Sequence, residues 1–465
     1  MKAADTGSPN FGGFLRRHQL TIFIILLLAF AVRIGFVIVR PGQGGDPKYR
    51  PTAINILEGH GFSTDELPPY KPGVASAPAY PLFVAGVYAL FGRGPLPLAL
   101  SQALLDLFTC LLVAFVSFSL APTRLKDTAA LSSLIIYGVF SWPTMVWLPF
   151  LLAETQTFFF IMVTVALCAV ALRKGARYWC GAGVACGLAI LTRPDSVLMA
   201  SAIVLFLLGR WARRPARAGA LELAGFCLAL TFSLSPWVVR NYLSLEKFQP
   251  LASEYASARD DHFPTGYLWW LRTWLKDEKH FGVAFNPAWF PETTIVDPSQ
   301  LPRDAYDSEA ERQRLVEMFG RYNQSHEITP DLDQEFRSLG NERIRRAPLR
   351  FFFLLPVYRT ASLWLTGFST SHPTPYVLIL RILSVLPIHV GGILGLLIWC
   401  RRQPLATLLL LILLARTLFL AYHYAPETRY MAEVYPVMIA ACGVTVAALW
   451  DQVRRRRLRH LLPSS

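Results

Sequence analysis

The chain has 465 residues, of which 53% are hydrophobic and only 16% charged, yet its formal net charge is +14. An average soluble chain is about 25% charged, and the apolar residues here come in long blocks. A soluble enzyme, a disordered chain, a collagen and a small disulfide scaffold are thereby excluded, and an all-α polytopic membrane protein is left.

Arg16, Arg17 and His18 precede an apolar run from Leu20 to Val39. About 20 apolar residues suffice to cross a bilayer. The small-residue cleavage pattern of a signal peptide is missing, so this run is expected to be the first transmembrane helix. Further runs at 96–120, 128–150, 152–172, 178–192, 195–209, 219–239, 376–400, 404–422 and 433–450 bring the expectation to about ten spans. Two more apolar stretches, 78–92 and 348–367, are expected to be interfacial or re-entrant helices. The first is short and proline-rich; the second carries Arg350 and Arg359.

Charge arbitrates the topology. Basic clusters at Arg16/Arg17, Arg124/Lys126, Arg173/Lys174/Arg177, Arg210/Arg213/Arg214/Arg217, Arg401/Arg402 and Arg454–Arg457/Arg459, with Lys2, hold 19 basic residues. With ten spans every cluster falls on one side, which the positive-inside rule makes the cytoplasm. Counting 78–92 as a further span would set the first cluster against the rest. Both termini are then cytoplasmic, and the plasma (inner) membrane is the expected location. The seven cysteines are scattered, five of them inside apolar runs, and none forms a CxxC pair. They read as packed thiols rather than a metal or disulfide framework.

Two sizeable segments face the other side, 40–77 and 241–375. Within the second, 241–350 holds 18 acidic and 14 basic residues, a net charge of −4, and the tryptophans Trp269, Trp270, Trp274 and Trp289. Helical patterning is expected at 305–323 and 331–346. A connection this long is usually functional or a small domain. The chain therefore divides into an N-terminal transmembrane catalytic module (1–240, with its first outer loop at 40–77), an extracytoplasmic loop region (241–350) and a C-terminal transmembrane module (351–465) with a basic cytoplasmic tail. That tail is a topology anchor or a contact for anionic lipid heads. Nucleic-acid binding is not expected, because the basic charge is split among short loops.

Ionisable groups in or beside membrane segments are costly and point to function. On this topology most lie at the outer ends of the spans: Asp46 after the first, Glu154 between the third and fourth, Arg193 and Asp195 between the fifth and sixth, Arg240 and Asn241 after the seventh, and His423, Glu427, Arg429 and Tyr430 between the last two. Such a boundary suits a substrate with a lipid tail, an anionic phosphate and a polar headgroup. Arginines bind phosphate bidentately, and a carboxylate can accept the proton of an attacking hydroxyl. Each residue has a structural alternative: Asp46 as a turn residue, Glu154 as a helix cap or ion-pair partner, Arg193, Arg240 and Arg429 as interfacial anchors. Asp106, inside the second span, is expected to pair with a neighbouring helix. His60, His262, His280, His372 and His423 show no metal-ligand spacing.

These residues sit in pieces that resemble a known family. Gly45-Asp46-Pro47-Lys48-Tyr49, the following Ala53 to Phe62, Pro78-Ala79-Tyr80-Pro81-Leu82-Phe83, Ala153-Glu154-Thr155, Leu191-Thr192-Arg193-Pro194, Pro236-Trp237-Val238-Val239-Arg240-Asn241-Tyr242 and Glu427-Thr428-Arg429-Tyr430 occur in order over most of the chain. The set resembles the GT-C superfamily of lipid-phosphate-sugar-dependent glycosyltransferases. Its family 39 branch includes the protein O-mannosyltransferases and the aminoarabinose transferase of lipid A. The resemblance implies a GT-C-like helical bundle, a polyprenyl-phosphate-sugar donor and a lipid, glycan or protein acceptor presented outside the cytoplasm. It further implies an inverting transfer with Asp46 as general base and Glu154 as the second acidic residue. Donor phosphate would be held by Arg429 and Tyr430, with Arg240 and Arg193 as further candidates. Tyr49, Asn241, His423 and Glu427 would position acceptor or sugar. Many family members carry Asp-Glu where this chain has Asp46-Pro47, leaving Asp46 as the lone acid there. No cofactor is called for, and dependence on a divalent metal stays open. The rival reading is a multi-span transporter or flippase, against which stand the lack of an internal repeat and the placing of the charges at one face.

Overall fold

In the computed structural model the described residues are 10–39, 44–74, 76–213, 215–246, 248–251, 263–277, 280–289, 291–365, 375–424 and 427–461. Lys2, Arg214, His262 and His372 lie outside them. The described residues form an all-helical protein without strands, apart from an isolated parallel bridge between Gly45 and Leu151. Two compact units are present: 1–258 with 387–415 and 432–465, and 259–386 with 416–431.

The first unit opens with a short helix α1 (Phe11–Arg17), whose Asn10 side chain caps the Gly13 N–H at 2.7 Å. The first span, α2 (Gln19–Val39), follows. The outer loop carries α3 (Tyr49–Glu58), stopped by Gly59 in the left-handed region, and leads to the apolar α4 (Ala79–Phe91). Then come α5 (Pro95–Leu120), α6 (Lys126–Ile135), the single turn α7 (Trp142–Met145), α8 (Glu154–Lys174), α9 (Arg177–Thr192), α10 (Val197–Arg213) and α11 (Arg217–Leu245). Close approach sets the α9–α11 contact: a Cβ on Gly183 would meet the Phe226 carbonyl, and one on Gly187 the Ser233 side chain. Small residues at such seams let helix backbones approach in lipid.

The expected span at 128–150 is cut short, whereas the one at 178–192 is matched by α9. After α6 the chain winds into a wider π turn at 136–140 and breaks at Ser141-Trp142-Pro143. The apolar residues that follow pack as turns. Helix α9 is bounded by Gly175 at φ +94 and by Arg193-Pro194, whose proline has no N–H to continue the ladder. At 16 residues it is about 24 Å long. Among the described residues eight helices are long and apolar enough to cross a membrane, and the protein is an integral multi-pass membrane protein.

A buried ion pair holds the early spans together. The Arg33 guanidinium donates to Asp106 through Nε (2.8 Å) and to the carbonyls of Ala29 and Gly138 at 2.9 and 2.8 Å. Asp106 also accepts the Tyr137 hydroxyl at 2.6 Å. Both charged side chains are fully buried. This is the neighbouring helix that Asp106 was expected to find.

The second unit holds α12 (Thr265–Leu271), α13 (Phe281–Trp289), α14 (Glu309–Ser325), α15 (Pro330–Arg346) and α16 (Leu355–Leu365). Ser308 caps α14 by accepting the Glu311 N–H at 3.2 Å, and Thr329 precedes Pro330 at the start of α15; both are favoured helix starts. The patterning expected at 305–323 and 331–346 corresponds to these two helices. Their apolar faces close on Tyr267, Trp270, Phe319 and Phe336, with ring centroids 4.9–6.3 Å apart. Arg343, buried beside them, pairs with Glu311 and donates to Thr273 and to the carbonyls of Asp304 and Ala305. The chain closes with α17 (Pro375–Trp399), α18 (Pro404–Tyr422) and α19 (Tyr435–Leu461).

Candidate active site

Asp46 is placed by backbone geometry. Its N–H donates to the Leu151 carbonyl at 3.2 Å, and the Leu151 N–H donates to Gly44 at 3.3 Å. Gly45, between them, sits at φ +143, and the Leu151 carbonyl occupies the place of a Cβ; only glycine tolerates both constraints. Leu151 is fixed in turn by Gln102 of α5, which donates to the carbonyls of Leu148 and Phe150 and accepts the Tyr80 hydroxyl at 2.8 Å. Tyr49, opening α3, meets Tyr80 edge to face at 4.8 Å. Burial, then the neighbouring Tyr49 and Glu154, push the Tyr80 phenol well above its ordinary range, so it remains a hydrogen-bond donor.

The Asp46 carboxylate is partly exposed and pairs with Lys48 Nζ at 3.0 Å. It faces a cleft of about 550 Å³ whose lining includes Arg50, Asn55, Glu58, Asp65, Glu66 and Tyr70. Asn55 shapes that cleft by donating to the carbonyls of Ser63 and Asp65. Arg240 of α11 holds the far part of the loop, donating to the carbonyls of Gly73 (2.8 Å) and Phe62 (3.1 Å) and lying over the Phe62 and Trp237 rings. Asn241 accepts from Arg240 and donates to the Gln249 carbonyl.

Glu154 begins α8 and is buried. One carboxylate oxygen meets Arg193 at 2.9 Å; the other has no hydrogen-bond partner among the described residues. Arg193 also reaches Glu433 at 3.0 Å and Asp195 at 3.5 Å. One guanidinium thus serves three carboxylates. Glu433 escaped the sequence reading because it lies just past the Arg-Tyr pair, where it looked like part of the last span.

Arg429 and Tyr430 belong to the second unit. Arg429 pairs with Glu427 and donates to the Tyr430 hydroxyl at 3.3 Å, which itself donates to Glu427 at 3.2 Å. His423 sits edge-on to the Tyr430 ring at 6.2 Å. Arg416, buried in α18, donates twice to the Tyr430 carbonyl at 3.0 and 2.9 Å. A lone arginine inside an apolar run was the signal for Arg416. Among the described residues no three His, Cys, Asp or Glu side chains are grouped as a metal ion would require.

This helical membrane fold is GT-C-like, in line with the resemblance read from the sequence. Residues 74–239 match a family model described as dolichyl-phosphate-mannose-protein mannosyltransferase. No curated protein matches the chain. Among solved structures it is similar to the oligosaccharyltransferase of Archaeoglobus fulgidus. The form tethered to an acceptor peptide is 13% identical at a TM-score of 0.55, covering 96% of this chain and 51% of that one. The apo form gives 13% and 0.53, covering 94% and 52%. The complex of that enzyme, AglB, with an inhibitory peptide and a dolichol-phosphate gives 12% and 0.51, covering 97% and 53%. The chain thus spans about half the length of these structures, and at such identities the likeness is one of fold. Fold and family match together support a GT-C membrane glycosyltransferase or oligosaccharyltransferase.

Proposed function

We propose that the protein moves a sugar from a polyprenyl-phosphate donor to an acceptor hydroxyl on the extracytoplasmic face, with inversion. The observation that carries this reading is Asp46, pinned by its backbone at the edge of a polar cleft, with a partly exposed carboxylate that pairs with the neighbouring Lys48 and lines that cleft. Asp46 takes the proton of the acceptor hydroxyl as that oxygen bonds to the anomeric carbon. The bond from that carbon to the phosphate oxygen breaks, and the lipid phosphate leaves with the electron pair. Attack opposite the leaving group inverts the centre. The cleft lining supports a sugar or polyol rather than a phosphate at this point, since Asp46, Glu58, Asp65 and Glu66 outnumber Arg50.

The phosphate role falls to Arg429 with Tyr430, a guanidinium and a hydroxyl that now meet the Glu427 carboxylate and would offset the charge of the leaving group in its place. Arg193 and Arg240 are engaged by carboxylates and carbonyls, and act by holding Glu154 and the first loop. Tyr49, Asn241, His423 and Glu427 act in positioning. The dolichol-phosphate and peptide bound by AglB support a lipid-linked donor and a peptide or glycan acceptor here.

Purified protein supplied with polyprenyl-phosphate-sugars and hydroxyl acceptors tests the reading. Transfer by wild type and its loss in Asp46→Asn, with donor binding retained, is the expected result. Full transfer by Asp46→Asn removes Asp46 as the base, and unchanged donor affinity in Arg429→Ala removes the phosphate role.

A further inference from the structure

A second cavity lies away from the cleft, between α5 and α8. It measures about 590 Å³, and all its lining atoms are apolar; Leu112, Phe115, Val163, Leu167 and Val170 form its walls, with Phe11 of α1 at one end. Phe11 packs edge to face on Phe115 at 5.1 Å and on Phe118 at 5.5 Å. The Phe118 ring is shared: the Lys126 ammonium lies over it at 5.1 Å. The C-terminal ends of α5 and α8 meet here, where Arg173 donates to the Ser119 carbonyl at 2.7 Å.

The carboxylate nearest these cations, Asp127, is shared with other basic groups. Burial and the neighbouring Arg173 guanidinium push the Lys126 ammonium below its ordinary value. Asp127, the adjacent carboxylate, is taken up by Arg17 at 2.9 Å and His18 at 3.1 Å. The groove reaches Phe11, which packs on Phe118, and beyond that ring stand Lys126 and the neighbouring Arg173. An apolar groove with two cations beyond one end matches a molecule with an apolar chain and an anionic head. Basic pockets between transmembrane helices at the positive side of a membrane protein bind such heads, and a charged acceptor strengthens each hydrogen bond it receives.

We propose that this groove is a binding site for an anionic glycerophospholipid: one acyl chain lies between α5 and α8, and the phosphate meets Lys126 and Arg173. The site is separate from the transfer chemistry, and its occupant is a lipid of the leaflet on the basic side. It ties α1 to the α5–α8 pair through a lipid as well as through Phe11.

Native mass spectrometry of the full chain, partially delipidated and then titrated with phosphatidylglycerol or phosphatidylcholine of matched chains, tests it. Wild type should retain phosphatidylglycerol at least fivefold more strongly. Lys126→Gln should erase that preference, and Leu167→Trp, which fills the groove, should lower retention of both lipids while the thermal midpoint without lipid stays within a few degrees. Equal retention of the two lipids by wild type overturns the proposal, whatever the variants do. So does displacement of phosphatidylglycerol by equimolar polyprenyl phosphate, which would make the groove a donor-tail site.

Discussion

Asp46 combines a rigid backbone with a side chain that keeps solvent access, and the two are separable by mutation. Asp46→Asn keeps the backbone bridge to Leu151 and removes the carboxylate proposed as proton acceptor, together with its pair to Lys48. Transfer should fall about 10²- to 10⁴-fold, the usual contribution of a general base, with the unfolding midpoint unchanged; both are read on the same preparation. Arg193 behaves oppositely. Removing it takes from the buried Glu154 and Glu433 the guanidinium that both carboxylates meet. Breaking a buried pair in this way costs about 3–5 kcal/mol, so Arg193→Ala should unfold at markedly lower temperature, while Arg193→Lys recovers part of the loss. The candidate acids Asp46 and Glu154 were legible in the sequence because they punctuate apolar runs. Glu433 and Gln102 were not: the first completes an ion cluster assembled from three separate segments, and the second works by bonding carbonyls, which leaves no compositional trace.

At the scale of elements, the first outer loop is held by contacts with residues distant in sequence. Gly45→Ala would force a side chain into the Leu151 carbonyl at a φ of +143. A strained backbone of this kind costs about 1–3 kcal/mol, and here the strain falls on the residue next to Asp46. The variant should lose transfer out of proportion to its loss of stability, as measured by initial rate and thermal midpoint together. Arg359 is the counterpart in the second unit, donating to the carbonyls of Leu275, Arg272 and Ala421. Arg359→Met should destabilise by about 3 kcal/mol or more, since hydrogen bonds from a charged group contribute about 1.5–3 kcal/mol each. The long spans and the amphipathic helices α14 and α15 were legible from periodicity and caps. The early end of the span that begins with α6 was not read, because apolar run length was taken for helix length although Pro143 interrupts it.

For the whole molecule, the sidedness read from charge has a direct test. With the accessible native cysteines replaced, Ser325→Cys should react with an impermeant thiol reagent applied from outside intact cells, and Arg401→Cys should react only after permeabilisation. The reverse pattern would invert the proposed topology. Acid should act first on the second unit. The hydrogen bond from Arg321 holds the Glu335 carboxyl below its ordinary range. Burial would raise Asp307, but Arg350, Arg343 and Arg346 outweigh it and hold it low. Depressed folded-state values mean that this stabilisation is complete above the unfolded carboxylate range of about 4 and is lost as pH falls through the folded values. Tryptophan emission from Trp270 and its neighbours should report the loss below about pH 4, and Asp307→Asn should flatten that dependence.

The Arg33–Asp106 pair has a consequence for how the protein is made. Arg33 is synthesised 73 residues before its counter-ion. An uncompensated arginine at a helix centre costs about 2.5–3.5 kcal/mol on insertion scales. The first span therefore emerges from the ribosome incomplete and becomes comfortable in lipid only when α5 arrives. Nascent chains truncated before Asp106 should integrate α2 less fully than those truncated after α5, and Arg33→Leu should abolish the difference.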